Sequence, residues 1–186
     1  MGYLKSGIDI NLLKRDVISK IAKDEKSTLW SLVTVFLVYL IIGIASVLFS
    51  LLIYQLFSSF FKTGSTLIPN QFFLRTIGFS LAQGLIYILI WPFILWIMVK
   101  LFKGKTNYIS LIRTLGLSSV LAILSIIPLI GILAWMWSIV VSIFIVNETQ
   151  KLSIGKSIAV VLIPGAILIV LAFIVFIIFA ITMSKI

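Results

Sequence analysis

The chain has 186 residues, 62% apolar and 11% charged, with a mean hydropathy of +1.29 and a formal net charge of +10. An average soluble domain carries about 25% charged residues, so too little polar side chain is present to clothe a soluble globule of this size. Histidine and cysteine are absent, which excludes disulfide frameworks, thiol nucleophiles, Cys/His zinc sites and a histidine base.

The first 29 residues are polar and hold four of the five acids: Asp9, Asp16, Asp24 and Glu25. Over residues 9 to 26, Ile10, Leu13, Val17 and Ile21 recur at three- and four-residue steps, with Leu12, Ile18 and Ala22 beside them. Asp9 is the expected N-cap. Lys14, Arg15, Lys20 and Lys23 are interleaved. This pattern predicts an amphipathic helix lying in the membrane plane, its stripe in the acyl boundary and its cations at anionic headgroups. A cytosolic helix packed on the bundle is the alternative. The apolar run that follows is too long for the h-region of a cleavable signal.

Trp30 to Tyr54 is free of charge, as is Ile77 to Val99. A hydrocarbon core about 30 Å thick needs roughly 20 helical residues, and backbone groups there must be satisfied within the segment, so each run predicts a membrane-spanning helix. Trp91-Pro92 predicts a kink in the second. Thr114 to Val146 holds 33 uncharged residues, about 50 Å as one helix and too long for a single span. Pro128-Leu129-Ile130-Gly131 suits a tight hairpin in which the glycine takes a left-handed turn. This predicts spans over 111–127 and 129–146, with a re-entrant pair as the alternative. The last run, Ser157 to Thr182, carries Pro164-Gly165. The expected fold is an all-α bundle of five transmembrane spans (30–54, 77–99, 111–127, 129–146, 157–182) behind an N-terminal amphipathic segment, 1–29.

With five spans, the N-terminal segment and the links at 100–113 and 147–156 share one side. They carry twelve of the 15 Lys/Arg, including Lys100, Lys103, Lys105 and Arg113; Lys62, Arg75 and Lys185 are left on the other. The positive-inside rule then places the N-terminus in the cytoplasm and the C-terminus across the cell membrane.

No Asp, Glu, Lys or Arg lies inside the apolar runs, which disfavours proton pumps, carboxylate-coupled transporters and aspartyl intramembrane proteases. Catalytic, metal and cofactor residues are therefore not expected. Ser80, Gln83 and Tyr87 are the mid-span polar residues of the second run, and Gln83 suits an interhelical hydrogen bond. Small residues at helical spacing (Gly43, Ser46 and Ser50; Gly116, Ser119 and Ala122) suit close helix packing. Gly104-Lys105-Thr106 and Gly155-Lys156-Ser157 lack the earlier glycine of a phosphate-binding loop, Val99 and Gln150 standing there instead.

The second half resembles the Yip domain family (Ypt-interacting proteins), best over residues 100 to 170. The resemblance rests on the basic link FKGKTNYISLIRTLGLSS, the proline-glycine hairpin SIIPLIG and the stretch VNETQKLSIGKSIAVVLIPG. Gly104, Gly116, Pro128, Gly131, Ser153, Gly155, Lys156 and Pro164 occupy matching places, while Leu117 replaces the family's tyrosine. The Asp-Leu-Tyr-Gly-Pro motif of eukaryotic members is missing, which points to a bacterial or archaeal member. The resemblance implies five spans and a cytoplasmic N-terminus. In eukaryotic relatives it implies Rab-type GTPases, vesicle traffic and membrane shaping. It carries over no binding residue.

The expected function is non-enzymatic: organising membranes or scaffolding partners. The expected partners are membrane lipids, anionic ones among them, and a protein partner or second copy, but no nucleic acid. The alternative is a small transporter, channel or lipid-handling protein with a cavity between kinked helices, lined by Ser80, Gln83 and Tyr87.

Overall fold

The computed structural model describes residues 2–61, 70–105 and 107–183. The chain is an all-α, multi-span helical bundle. Its elements in order are α1 (Tyr3–Asn11), α2 (Arg15–Lys23), α3 (Ser27–Phe61), α4 (Asn70–Leu101), α5 (Tyr108–Ser118), a 3-10 helix (Ser119–Ile126), α6 (Pro128–Gln150) and α7 (Ile154–Met183). Among the described residues, Ser27–Leu56, Gln71–Leu101, Tyr108–Ile126 and Leu129–Gln150 are long and apolar enough to cross a bilayer. Ile154–Ile167 is a shorter apolar stretch, and α7 continues from it as helix to Met183. Pro92 and Pro164 lie inside α4 and α7 and are buried.

The 33-residue apolar region folds as two antiparallel arms: Asn107, at the start of one, bonds Gln150, at the end of the other. The arms outgrow the apolar run because Tyr108–Arg113 and Asn147–Gln150 belong to the helices. The reversal itself differs from the expected one. Ile127 is extended (φ −100°, ψ 111°), Pro128 opens α6, and Gly131 sits within that helix; no described glycine has positive φ. Gly131 is needed for space, since a Cβ there would lie 2.9 Å from the Ser125 Cα. Pro128 suits the first turn because its missing N–H would be unpaired there anyway.

The N-terminal segment is two helices, not one. At the end of α1 the N–H of Leu13 donates to the Ile10 carbonyl (2.9 Å) and that of Lys14 to the Asp9 carbonyl (3.1 Å). Leu13 takes the left-handed φ of 60°. This is the Schellman closure of a helix C-terminus. Asp9 therefore stands near the end of α1 rather than capping the start of a longer helix. The expected apolar stripe is also relocated: Ile10, Val17, Ile18 and Ile21 are buried in the bundle core, with Leu111 and Ile145 among their cluster. That stripe faces protein, as the alternative reading had it. The same Schellman pair closes α4, Lys103 N–H donating to Lys100 (3.1 Å) and Gly104 N–H to Val99 (2.9 Å), with Lys103 at φ 59°.

Candidate functional site

The N-terminal helices and the two basic links meet at one end of the bundle. Arg15 pairs with Glu148 at 3.4 Å, and Lys151 approaches the same carboxylate at 3.9 Å. The Lys105 N–H donates to the Gln150 carbonyl at 2.8 Å. Gln150 is fully buried. Its side-chain carbonyl accepts from the Asn107 N–H at 3.1 Å, and its amide donates to the Asn107 carbonyl at 3.1 Å and to Ser110 Oγ at 3.0 Å. One amide thus clips the link before α5 to the end of α6. Composition could not reveal it, because Gln150 sits in a stretch that reads as solvated link.

The basic residues differ in their surroundings. Lys14 bonds Asp9 at 2.7 Å, which raises its pKa above the usual lysine range. Arg15 also lies over the Phe144 ring at 5.4 Å, and Lys100 over Trp96 at 3.6 Å. Arg113 Nε donates to Thr28 Oγ1 (2.7 Å) and Nη1 to the Ala22 carbonyl (3.1 Å), a cation on the C-terminal end of α2. Lys20, Lys23, Lys103, Lys105 and Lys156 are exposed and form no ion pair among the described residues.

Helix α1 lies across this end of the bundle. Tyr3 stacks on Trp30 of α3 (5.4 Å between ring centroids) and donates its hydroxyl to Asp24 at 2.9 Å, which raises the Tyr3 pKa. Gly7 rests on α5, where a Cβ would meet the Leu117 carbonyl oxygen at 2.5 Å. Asn11 Nδ2 donates to the carbonyls of Gly7 (2.9 Å) and Ser118 (3.0 Å), and the Asn11 carbonyl accepts from Trp137 Nε1 of α6 at 2.8 Å. In nine residues the helix touches α3, α5 and α6. Ser118 lies five positions beyond Arg113, about 7.5 Å along the helix, so the C-terminal end of α1 meets α5 more than one turn past the last charged residue of that helix. Its outer face carries Leu4, Ile8 and Leu12, which are 64%, 48% and 62% exposed, with the exposed Lys5 at its edge. Periodicity had marked the inner stripe and missed this one, which begins before residue 9.

Beside α1 run two adjoining apolar grooves of about 410 and 540 Å³. Both are lined by Leu121, Leu124 and Trp137; Ile8, Asn11 and Leu12 complete the first, and Leu133 and Met136 belong to the second. The 3-10 helix forms one wall. Eight residues is long for that geometry, in which runs beyond three or four are uncommon.

None of the three mid-span polar residues lines either groove. Ser80 donates to the Tyr39 carbonyl of α3 (2.7 Å) and Tyr87 to the Leu115 carbonyl of α5 (3.4 Å). Gln83 is on the exposed outer face of α4, with no hydrogen-bond partner among the described residues, so the expected contact between helices of one chain is not formed there. Of the residues in the recognised pattern, Gly116 lets α5 approach α3 and α4: a Cβ would lie 2.6 Å from Ser31 Cβ and 2.8 Å from Ile88 Cδ1. Gly104 packs on Val99 and Leu152. The Ser153 carbonyl accepts from Ser157 N–H (2.9 Å) at the start of α7, and Gly155 faces open space.

The family model of the Yip1 domain matches residues 11–177. Neither the curated proteins nor the solved structures gave a match.

Proposed function

Since the chain belongs to the Yip1 domain family, we propose that this integral membrane protein is a non-enzymatic organiser of the bilayer around it. The observation that carries this reading is α1, a helix strapped across the bundle with Leu4, Ile8 and Leu12 facing outward; the proposal sets that face in the headgroup–acyl boundary. Burying one such side chain in acyl chains is worth about 1.5–3 kcal/mol when complete. A helix held in one leaflet adds area to that leaflet alone, which favours curvature. The same end collects twelve of the 15 basic residues, and these attract anionic headgroups at about 1 kcal/mol each near the surface. The positive-inside rule gives this end to the cytoplasmic face of the cell membrane, with the C-terminus opposite. A protein partner or second copy would meet the exposed cations of the links. Two acids of this end are held in ion pairs, Asp9 by Lys14 and Glu148 by Arg15 and Lys151.

Reconstitution into anionic liposomes tests the proposal. The wild type deforms vesicles as seen by cryo-electron microscopy, and a variant with Leu4, Ile8 and Leu12 changed to Ser loses most of that effect. Spherical vesicles with the wild type, together with no partner captured by crosslinking in cells, would overturn it.

A further inference from the structure

We propose that the groove beside α1 binds one anionic glycerophospholipid, an acyl chain lying along Leu121, Leu124 and Trp137 and an O–H or N–H donor of the headgroup reaching Asn11 Oδ1. Three observations converge there. The walls are apolar and open on the surface of the bundle, the kind of space that an acyl chain fills. Asn11, which lines the groove, is only 8% exposed. Both its Nδ2 bonds are committed to main-chain carbonyls, while Oδ1 is buried with no partner, the one such side-chain atom among the described residues. A buried acceptor left unpaired costs about 1–3 kcal/mol. The indole N–H of Trp137 is already held by the Asn11 carbonyl, so the ligand must bring the donor.

Charge selects the rest of the headgroup. Lys14 and Arg15 follow Asn11 at three and four positions. Their side chains remain 50% and 60% exposed despite their ion pairs, within reach of a lipid phosphate. A phosphatidylglycerol headgroup supplies both a net negative charge and hydroxyl donors; a phosphatidylcholine headgroup has its phosphate charge cancelled by the choline and carries no O–H or N–H donor.

The test is to reconstitute the full chain in vesicles of phosphatidylglycerol and phosphatidylcholine, transfer it to mild detergent and identify the retained lipid by native mass spectrometry. The wild type is expected to retain one phosphatidylglycerol per chain, enriched roughly five- to tenfold over the bulk ratio, the worth of one hydrogen bond. Leu124→Trp fills the groove without touching the Asn11 bonds, and abolishes retention at unchanged helicity. Asn11→Leu retains lipid at the bulk ratio. Bulk-ratio lipid on the wild type, or full enrichment in Leu124→Trp, overturns the site. The site stands apart from the organising role: vesicles deformed by a chain that retains no phosphatidylglycerol would overturn the site alone.

Discussion

The indole of Trp137, in the middle of α6, donates to the main-chain carbonyl of Asn11 at 2.8 Å, joining residues 126 positions apart. With the Asn11–Ser118 bond it fixes the C-terminal end of α1 to both arms of the α5–α6 hairpin. Trp137→Phe keeps most of the ring and removes the donor. The expected cost is about 1 kcal/mol, within the 0.5–1.5 range of a net hydrogen bond, paid in local opening of α1. Hydrogen exchange over residues 3–11 should quicken several-fold while the spans are unaffected. Unchanged exchange in α1 would mean that the bond does not hold the helix.

Two glycines of the recognised pattern should respond to alanine with opposite signs. At Gly116 the new methyl would meet Ser31 and Ile88 at 2.6 and 2.8 Å. Pushing α5 off α3 and α4 costs about 1–3 kcal/mol. At Gly155, in the first turn of α7, nothing lies within 4 Å, and alanine lowers the backbone entropy of the unfolded chain, a gain of up to about 1 kcal/mol. Unfolding of the two variants in detergent micelles checks both signs.

The Gln150 clip should be intolerant of an apolar replacement. Gln150→Leu leaves the Asn107 N–H unpaired and removes the bond to Ser110, with an expected loss of about 1–3 kcal/mol. Gln150→Glu keeps the acceptor but sets a fully buried carboxylate against the Asn107 carbonyl, and should lose more. Equal stability of the two would contradict the clip.

Alkali should release the N-terminal helix. Tyr3 and Lys14 both have pKa values raised above their ordinary 10.0 and 10.5, chiefly by hydrogen bonds to Asp24 and Asp9. A group whose pKa is raised by folding contributes fully below its ordinary value and loses that contribution as pH climbs through the raised one. The part of the tryptophan fluorescence that Trp30→Phe removes, which reports the Tyr3 stack, should therefore be flat from pH 6 to 9 and change above about pH 10. A transition in the neutral range would contradict these contacts.

The spans were legible because a bilayer imposes a composition: charge-free runs of about 20 residues have little alternative. Within them the inward face was not legible. Helices α3, α6 and α7 are apolar all round, so periodicity carries no direction. The break between α1 and α2 was hidden because its left-handed residue is Leu13 rather than glycine. Lys103 and Lys151, at φ 59° and 54°, conceal the ends of α4 and α6 in the same way. Gly131 misled in the opposite sense, its role being room for Ser125 rather than a turn. Asn11, Trp137 and Gln150 make contacts across 43 to 126 positions, and no local pattern announces those.

Site-directed spin labels at Ile8 and Leu12, compared with one at the exposed Lys156 in the full chain reconstituted into anionic vesicles, test most directly whether α1 lies in the leaflet. Labels at Ile8 and Leu12 should collide more with oxygen than with a water-soluble nickel chelate, and the Lys156 label should show the reverse. Equal access of the chelate to all three positions would contradict a membrane-inserted α1 and the organising role built on it.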